Sequence, residues 1–559
     1  MSLVRGFESP LAHVNELSRR RFLGVASAAG GAITVASGTA PTQHPEADPD
    51  PDAARPDGRI VIASMSAPQS LDPGLATDTE TERILRQIFE PLLGIEPETG
   101  AVAPLLATEW EVSDDELTYT FRLRRDVVFH DGTELTPEVV VANLERAGRL
   151  DQLYGPGNIS QSSALAFPTV FGGFIGEEEC VLESVEPSGS RSVMLTLTQP
   201  VAFLLQALTL PAFGVASAEV LSDSDPGLVS RTPVGTGPYR LVTSDGEDTV
   251  LEANSDHWDG AEGPEQVVVR PFPRSFDRLR ELNRGEVDVY DGITADNLRS
   301  LVQSGRLLMQ RDPFSVLYLG FNLNHPVIAD ETVRQAAALA INRPGLVENY
   351  FLDGSRAAYQ FTPAALGVHS DAALRHSHDL AEAQQLLDSS DYDGEPLTFY
   401  YPISTTRNYL PRPEGVYAWI AGNLTAAGFS IRPKPVVWGD GYIETLMGDE
   451  DRAMHLLGLS GGFRSPHAFL GTLFGQGGRE FNYSNPDLLE LLNRARSETQ
   501  EEARTELYRQ AAELLAEDLP AVPLAYPISG LALGPRVADY PMSPVLNERF
   551  SEITLSDQP

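Results

Sequence analysis

The sequence has little positive charge and almost no lysine. It contains 41 Lys and Arg residues against 79 Asp and Glu residues, for a net charge of -38, and Lys434 is its single lysine. Nucleic-acid binding depends on clusters of Lys and Arg that displace counterions from phosphates, so this composition argues against a nucleic-acid partner. Such an acidic surface repels itself in dilute buffer, but molar salt shortens the Debye length to about 3 Å and removes that penalty. The composition therefore predicts a halophilic protein.

Cysteine is equally scarce, because Cys180 is the only cysteine among 559 residues. A single cysteine excludes an intrachain disulfide framework and a cysteine zinc site.

The chain length exceeds what one hydrophobic core supports, so at least two domains are expected.

An export signal is predicted over residues 1–40. The segment SRRRFL at 18–23 is typical of the twin-arginine pathway, and the run from Gly24 to Ala40 is short and weakly apolar. Such a run is a poor match to about 30 Å of hydrocarbon, so a permanent transmembrane helix is not expected. No cysteine follows it to carry a lipid. We expect a cell-surface or extracellular protein, and the sequence leaves open whether the signal is cleaved or retained as an anchor.

A linker is predicted over residues 41–58, PTQHPEADPDPDAARPDG. This segment is rich in Pro and Asp and cannot bury enough apolar surface to compensate for the chain entropy that folding would cost. Beyond it, Arg59 to Ala63 predicts a strand, Thr77 to Phe89 a helix, and the alternation of Thr118 to Leu123 another strand. Helical spacing of apolar residues recurs at 333–340, 380–387, 416–424, 488–495 and 504–515. The predicted fold class is mixed α/β, without an internal repeat.

Short motifs occur in a fixed order between about Arg59 and Pro527. They are LDP (71–73), FEPL (89–92), PLLATEW (104–110), FHDGT (129–133), TPVGTGPY (232–239) with Asn254 and Trp258, GEVD (285–288), FN (321–322), VRQA (333–336), and Arg504, Tyr508 and EDLPAVPL (517–524). Together they resemble the extracellular solute-binding proteins, family 5, of peptide and nickel ABC importers. In TPVGTGPY, two glycines and a proline suit a tight turn that leads into a strand.

The resemblance implies a two-lobed fold of the periplasmic-binding-protein type, hinged around a cleft. By analogy, lobe I comprises residues 59–102, 235–314 and 523–559, its subdomain residues 103–234, and lobe II residues 315–522. The resemblance also implies a non-catalytic, monomeric receptor without a cofactor. It would capture a peptide-like or other polar organic solute between its lobes and deliver it to a membrane permease with a separate ATPase subunit.

Arg407 is the first candidate ligand contact. The segment RNYLP at 407–411 aligns with the family segment whose arginine takes a ligand carboxylate, and a guanidinium can pair with a carboxylate through two hydrogen bonds. An ordinary surface arginine in a loop is the alternative.

The segment at 456–474, LLGLSGGFRSPHAFLGTLF, departs from the family pattern Gly-Trp-x-x-Asp-x-x-x-Pro. Gly462 stands at the position of the aspartate that pairs with a peptide's α-amino group, and Leu459 stands at the tryptophan position. A free ammonium group would lose its partner, so ordinary peptide binding is in doubt and Arg464 becomes a candidate for selecting an anionic or amino-blocked ligand. The other candidate lining residues are Ser460, Phe463, Ser66, Tyr318, Asn322, Tyr409, Trp438 and Tyr526.

Three alternatives come from other classes of protein. GLSGG at 458–462 fits the G-x-S-x-G of serine hydrolases, but the last histidine, His467, follows without an intervening acid. A metal or metal-chelate receptor rests on His369, His376 and His378, since neutral imidazoles at such spacing can bind nickel or zinc. A purely structural or adhesive role is disfavoured by the absence of repeats. A P-loop is excluded, because Lys434 lies between two prolines.

Overall fold

The computed structural model describes residues 58–96, 99–155, 165–222, 224–260, 262–475, 480–543 and 547–556. The predicted export signal and almost all of the predicted linker lie outside these residues. The described residues belong to one compact unit. No helix in these ranges combines the length and the apolar character that a membrane crossing requires.

The first sheet has seven strands in the order β12-β19-β11-β1-β10-β9-β8. They are β1 (Arg59–Ser64), β8 (Tyr239–Ser244), β9 (Thr249–Ala253), β10 (Gln266–Pro271), β11 (Val289–Asp291), β12 (Leu307–Arg311) and β19 (Ser529–Leu533). The predicted strand at Arg59 to Ala63 is confirmed as β1, which runs parallel to both of its neighbours. Its residues Ile60 and Ile62 join one apolar core, whereas Val61 and Ala63 join the core on the other face. This burial of both faces suits a central strand rich in β-branched residues.

The second sheet has six strands in the order β14-β18-β13-β17-β15-β16. They are β13 (Ser315–Phe321), β14 (Arg356–Ala357), β15 (Leu397–Ile403), β16 (Ile431–Val437), β17 (Met454–Ser460) and β18 (Ala521–Tyr526). The expected lobe boundary before residue 523 falls inside β18. Because all of β18 belongs to the second sheet, the return to the first sheet comes later, between Tyr526 and Ser529.

A third, antiparallel sheet has the order β4-β5-β7-β6. Its strands are β4 (Ala107–Val112), β5 (Thr118–Leu123), β6 (Leu182–Pro187) and β7 (Ser192–Leu197), and two short pairs complete the strands: β2 (Leu93–Ile95) with β3 (Val102–Pro104), and β20 (Val537–Asp539) with β21 (Thr554–Leu555). The alternation predicted for residues 118–123 is confirmed, because Tyr119, Phe121 and Leu123 are buried together.

Sixteen helices connect or cover the sheets in the described ranges. They are α1 (Thr79–Ile88), α2 (Pro137–Ala147), α3 (Leu150–Tyr154), α4 (Ala166–Phe171), α5 (Leu204–Ala207), α6 (Leu228–Arg231), α7 (Ser275–Asn283), α8 (Ala295–Gln303), α9 (Glu331–Ala340), α10 (Arg343–Tyr350), α11 (Leu380–Ser389), α12 (Pro413–Ala427), α13 (Tyr442–Gly448), α14 (His467–Phe474), α15 (Pro486–Ser497) and α16 (Glu501–Asp518). Each segment with predicted helical spacing lies in a helix, so the mixed α/β class is confirmed.

Helix α1 matters most for the site. The Asp78 side chain caps it by accepting hydrogen bonds from the backbone N–H groups of Glu80 and Thr81, both at 3.1 Å. Such a cap fixes where the helix begins and therefore where its first-turn side chains point. Most of the charged side chains of α1 are buried, including Glu80, Arg83 and Arg86.

Candidate functional site

Three loops that follow strands of the seven-stranded and six-stranded sheets carry predicted site residues. Ser66 lies in the loop after β1, Arg407 in the loop after β15, and Gly462 in the loop after β17. Because β15 and β17 run parallel, their loops leave the second sheet at the same edge. The structure brings Ser66 into contact with Arg407, whereas the atoms near Gly462 belong to Leu210 and Glu82.

Arg407 is buried, with 5% of its surface exposed. Its Nη1 donates to the Ser66 hydroxyl at 3.1 Å, and its guanidinium carbon lies 3.9 Å from the ring centre of Trp438. Its Nε and Nη2 are buried without a hydrogen-bond partner in the described residues. These two nitrogens share one edge of the guanidinium, the geometry that a carboxylate accepts with two parallel bonds. The geometry makes Arg407 competent to bind an anion.

Two carboxylates of α1 also lack hydrogen-bond donors. Glu80 is 1% exposed, both of its oxygens are buried without a donor, and Oε1 lies 3.5 Å from Arg83 Nη2. Burial raises the pKa of Glu80, and the positive charges of Arg83 and Arg407 offset part of that rise. Glu82 is half-buried, makes no hydrogen bond or ion pair with any described residue, and has its pKa raised by burial to about 7.

Arg83, the neighbour of Glu80, belongs to a buried ion network. Asp291, at the end of β11, accepts from Arg83 and, at 2.7 Å, from Nη1 of Arg311. Arg311 also pairs with Glu548 through its Nε at 2.5 Å and its Nη2 at 2.8 Å. Burial alone would raise the pKa of Asp291, but Arg311 and Arg83 hold this pKa well below its usual range. Through Arg83, the network attaches the middle of α1 to Asp291 of the first sheet.

Two predicted residues from the segment after β17, Phe463 and Arg464, contact residues outside the second sheet. Phe463 is buried and stacks on Phe203 with a centroid distance of 5.4 Å. Arg464 is exposed and donates to the Thr99 carbonyl at 3.4 Å. Ser460, by contrast, is hydrogen-bonded within the second sheet to Ser315, with 2.7 Å between the hydroxyl oxygens.

Tyr318 lies on β13, and Asn322 directly follows this strand. Tyr318 is 1% exposed and donates from its hydroxyl to the Glu480 carboxylate, which also bonds the His455 ring at 2.7 Å. The Asn322 side chain donates to the carbonyls of Glu450 and Arg452, both at 2.9 Å. Both side chains thus have hydrogen-bond partners other than Arg407.

Tyr409 and Tyr526 have different surroundings. A Cβ atom at Gly458 would lie 2.4 Å from the Tyr409 ring, so glycine at that position makes room for this tyrosine beside Arg407. Burial raises the pKa of the Tyr409 hydroxyl. Tyr526 donates to the carbonyl of Gln360 at 2.5 Å. It lies on β18, on the opposite side of β13 from the strands that carry the site loops.

Sequence reasoning missed Glu80 and Glu82. Acidic residues in the first helical turn are common, because they interact favourably with the helix dipole, so the pattern carried no signal of a site. Leu210 was also missed, and its Cδ2 would lie 2.7 Å from a Cβ atom at Gly462.

The three histidines of the metal alternative each have a separate partner. His369 bonds the Thr362 carbonyl at 2.6 Å, His376 the Ala516 carbonyl at 3.1 Å, and His378 the Leu339 carbonyl at 3.1 Å. Among the residues described, no group of three or more His, Cys, Asp or Glu side chains could hold a metal ion.

The elements of the hydrolase alternative do not come together. Ser460 bonds Ser315, as described above, whereas His467 is buried against Phe203, with 4.6 Å between ring centres. Burial lowers the pKa of His467 to about 3, so its ring is neutral. Its Nδ1 lies 3.3 Å from the Tyr508 hydroxyl.

Comparison with known proteins shows similarity over nearly all of the described chain. Heme-binding protein A of Haemophilus influenzae is 25% identical, over 89% of this chain and 92% of that protein. The peptide transport periplasmic protein SapA of Salmonella typhimurium is 29% identical, with the same two coverages. The solved structure of the ABC transporter-associated periplasmic binding protein DppA from Helicobacter pylori, in complex with the peptide STSA, superposes with a TM-score of 0.80. It is 24% identical and covers 89% of this chain and 98% of that one.

The family assignment rests on a match that covers most of the chain. The profile described as "Bacterial extracellular solute-binding proteins, family 5 Middle" matches residues 101–481, more than half of the sequence. The two-lobed fold predicted from the motif order is confirmed by the solved relatives. The chain therefore belongs to the bacterial extracellular solute-binding proteins, family 5.

Proposed function

We propose that this protein is the substrate-binding component of an ABC importer and that it binds a carboxylate-bearing, peptide-like or other polar organic solute. Family membership supports the receptor role, and relatives whose names specify peptides support the ligand class. In this proposal the first and second sheets are the cores of lobes I and II, and the third sheet is the core of the subdomain. Ligand capture between the lobes reports occupancy to the permease, which works with a separate ATPase.

The observation that carries the ligand class is the free edge of Arg407. A buried guanidinium with two unbonded donors is destabilising, because burial removes those donors from solvent without giving them acceptors. A carboxylate can accept hydrogen bonds from both of these donors at once. The third nitrogen, Nη1, already donates to Ser66, and the ring of Trp438 packs against the guanidinium. Arg407 is therefore the proposed carboxylate partner, with Ser66, Trp438 and Tyr409 as its supports.

The remaining predicted residues take lesser roles. Phe463 and Arg464 contribute to the contact between lobes, and Ser460 is fixed by Ser315. Tyr318, Asn322 and Tyr526 contribute to the packing of lobe II instead of to the site. No catalytic step is proposed, because the serine and histidine of the hydrolase alternative have separate partners.

The route to the cell exterior is part of the same proposal. The family is extracellular by description. The paired arginines at 18–23 favour the twin-arginine pathway, which transports folded proteins, and the acidic composition favours a high-salt exterior. A monomer is proposed, since each chain holds both lobes of its site.

The test is calorimetric titration of the full-length protein in molar KCl with trialanine and with trialanine amide, which lacks the carboxylate. We expect Arg407→Gln to weaken trialanine binding by more than about tenfold, since a charged hydrogen-bonded pair contributes at least 1.4 kcal/mol. Arg432→Gln, which changes an exposed arginine of the same lobe, is the matched control and should leave the affinity unchanged.

Two results would count against the proposal. An unchanged affinity in Arg407→Gln removes Arg407 from the site. Equal binding of the amide by the wild-type protein removes the carboxylate requirement. A thermal-shift screen that includes nickel chelates and organic acids covers the other ligand classes, because a ligand at a thousand times its Kd stabilises the folded state by about 4 kcal/mol.

A further inference from the structure

A small cavity borders α10, α14, α16 and β18. Its polar lining residues are Arg343, Tyr359, Gln360 and His376, and the rest of its lining is apolar. The space open to the centre of a water-sized sphere is about 10 Å³, which is just enough for one such sphere. Arg407 does not line this cavity. The cavity therefore suits one small occupant and is separate from the candidate site described above.

Arg343 brings a buried positive charge to the cavity. It is 2% exposed, its Nε donates to the Pro523 carbonyl at 2.8 Å, and its Nη1 donates to the His376 carbonyl at 2.6 Å. Its Nη2 donates to no described residue, and no carboxylate in the described ranges forms an ion pair with it. Burial lowers the pKa of Arg343 to about 10, so the group is still charged at neutral pH.

A second guanidinium lies close to the first. The guanidinium carbon of Arg343 lies 5.0 Å from the ring centre of Tyr359, and that of Arg375 lies 4.0 Å from the same ring centre. Arg375 is exposed and forms no ion pair with any described residue. The positive charge of Arg375 adds to the effect of burial in lowering the pKa of Arg343, so the two groups repel each other. Two positive charges thus lie together without a counterion in the described chain.

Other buried arginines have acidic partners or a full set of acceptors. Arg83 and Arg311 pair with Asp291. Arg334 donates to backbone carbonyls, as Arg343 does, but all three of its nitrogens have acceptors. Burial lowers the pKa of Arg334, and acidic neighbours offset part of that effect. An anion in the cavity would give Arg343 both the missing acceptor and the missing negative charge.

The other polar groups of the cavity favour an anion over a cation. The Tyr359 hydroxyl makes no hydrogen bond with any described residue and can donate one. The Gln360 amide is engaged with the Ser370 backbone, donating at 2.7 Å and accepting at 3.1 Å. The His376 ring contacts the Ala516 carbonyl at 3.1 Å, and burial lowers its pKa. Among the described residues, no carboxylate lines the cavity.

We propose that this cavity is a chloride site, in which Nη2 of Arg343 and the hydroxyl of Tyr359 donate to the ion. A single-atom anion fits a space of this size, whereas sulfate, phosphate and carboxylates are too large for it. A water molecule would also fit, but it would leave the charge of Arg343 uncompensated. Because the bound ion would contact the folded chain only, chloride would stabilise the protein beyond its effect on screening.

Anomalous diffraction locates the ion directly. The full-length protein is crystallised from molar KBr, and diffraction is measured at the bromine absorption edge, with bromide in place of chloride. We expect an anomalous peak in the cavity, in contact with Arg343 and Tyr359. A cavity that is empty or holds only water in these crystals overturns the proposal. This measurement uses the wild-type chain, so it does not depend on the folding of any variant.

Thermal unfolding measures the affinity. Potassium is held at a constant molar concentration while methanesulfonate, which is too large for the cavity, is replaced by chloride. We expect the unfolding midpoint of the wild-type protein to rise with chloride, and this rise gives the Kd. Tyr359→Phe should raise that Kd by more than about threefold, the effect of losing one hydrogen bond. Tyr417→Phe, at another half-buried tyrosine, is the matched control and should leave the Kd unchanged.

Arg407→Gln separates this site from the function proposed above, because Arg407 could also attract chloride. The chloride dependence should persist in Arg407→Gln. Its disappearance there would place the ion at Arg407 and overturn the cavity site. Equal Kd values for wild-type protein and Tyr359→Phe would overturn it as well, as would a midpoint that does not respond to chloride.

Discussion

Asp291→Asn will lower the free energy of unfolding by about 3 to 5 kcal/mol, the usual result of removing one partner from a buried ion pair. The substitution takes a shared carboxylate from Arg83 and Arg311, which are 6% and 1% exposed. Arg311 keeps Glu548, but Arg83 keeps only Glu80 at 3.5 Å. The measurement is urea unfolding in molar KCl, followed by tryptophan fluorescence.

The matched control for this variant is Asp296→Asn. Asp296 pairs with Arg412 at 3.0 Å, and both side chains are largely exposed. Exposed pairs contribute about 0 to 1 kcal/mol, and molar salt screens them further. Equal losses in the two variants would show that burial of the network around Asp291 adds nothing to its strength.

At low pH, the free energies of unfolding of the wild-type protein and of Asp291→Asn should become similar. The folded-state pKa of Asp291 is depressed, so the stabilisation is fully present above the unfolded-state value of about 3.9. As pH falls below that value, the unfolded chain takes up a proton that the folded protein still excludes, and the stabilisation decreases. We therefore expect the two unfolding free energies to converge below about pH 4. Parallel curves down to pH 2 would contradict the depressed pKa.

Many of the strands and helices could be predicted because they follow from local patterns of residue type. The strand at β1 follows from a short run of β-branched residues, the alternation in β5 follows from period-two burial, and several helices follow from apolar spacing. Their convergence in space could not be predicted from the residues alone. Glu90 of FEPL accepts hydrogen bonds from Thr236 at 2.8 Å and from Trp258 at 3.0 Å, joining three motifs that are far apart in sequence. Burial alone would raise the pKa of Glu90, but hydrogen bonds, first from His257, lower it.

The site was only partly accessible from sequence. Arg407 was found through its aligned segment, and Trp438 was placed by analogy, yet their contact depends on how β15 and β16 deliver their loops. Glu82 gave no signal, because its approach to Gly462 arises only when α1 and the loop after β17 come together in the fold. The pairing of β18 with β13 and β14 was not predictable either, since an apolar strand pattern does not specify which sheet the strand joins.

Gly235→Ala should destabilise the protein by about 3 kcal/mol or more, because the added methyl group meets backbone. A Cβ atom at Gly235 would lie 2.0 Å from the Ile88 carbonyl oxygen, and one at Gly237 would lie 2.4 Å from the Gln87 carbonyl oxygen. The Gly237 N–H also donates to the Ile88 carbonyl at 2.9 Å, so the turn packs directly on the end of α1. Neither glycine is in the left-handed region, and the requirement is one of space.

The same substitution at Gly422 provides the control and the opposite expected sign. Gly422 lies within α12, is exposed, and has no atom within 4 Å of an added Cβ. Alanine there should raise the free energy of unfolding by about 0.5 to 1 kcal/mol through helix propensity. Thermal unfolding of both variants in molar KCl checks the pair. A Gly235→Ala protein as stable as the wild type would mean that the turn can move away from α1. Contact with α1 would then not explain the two glycines of TPVGTGPY.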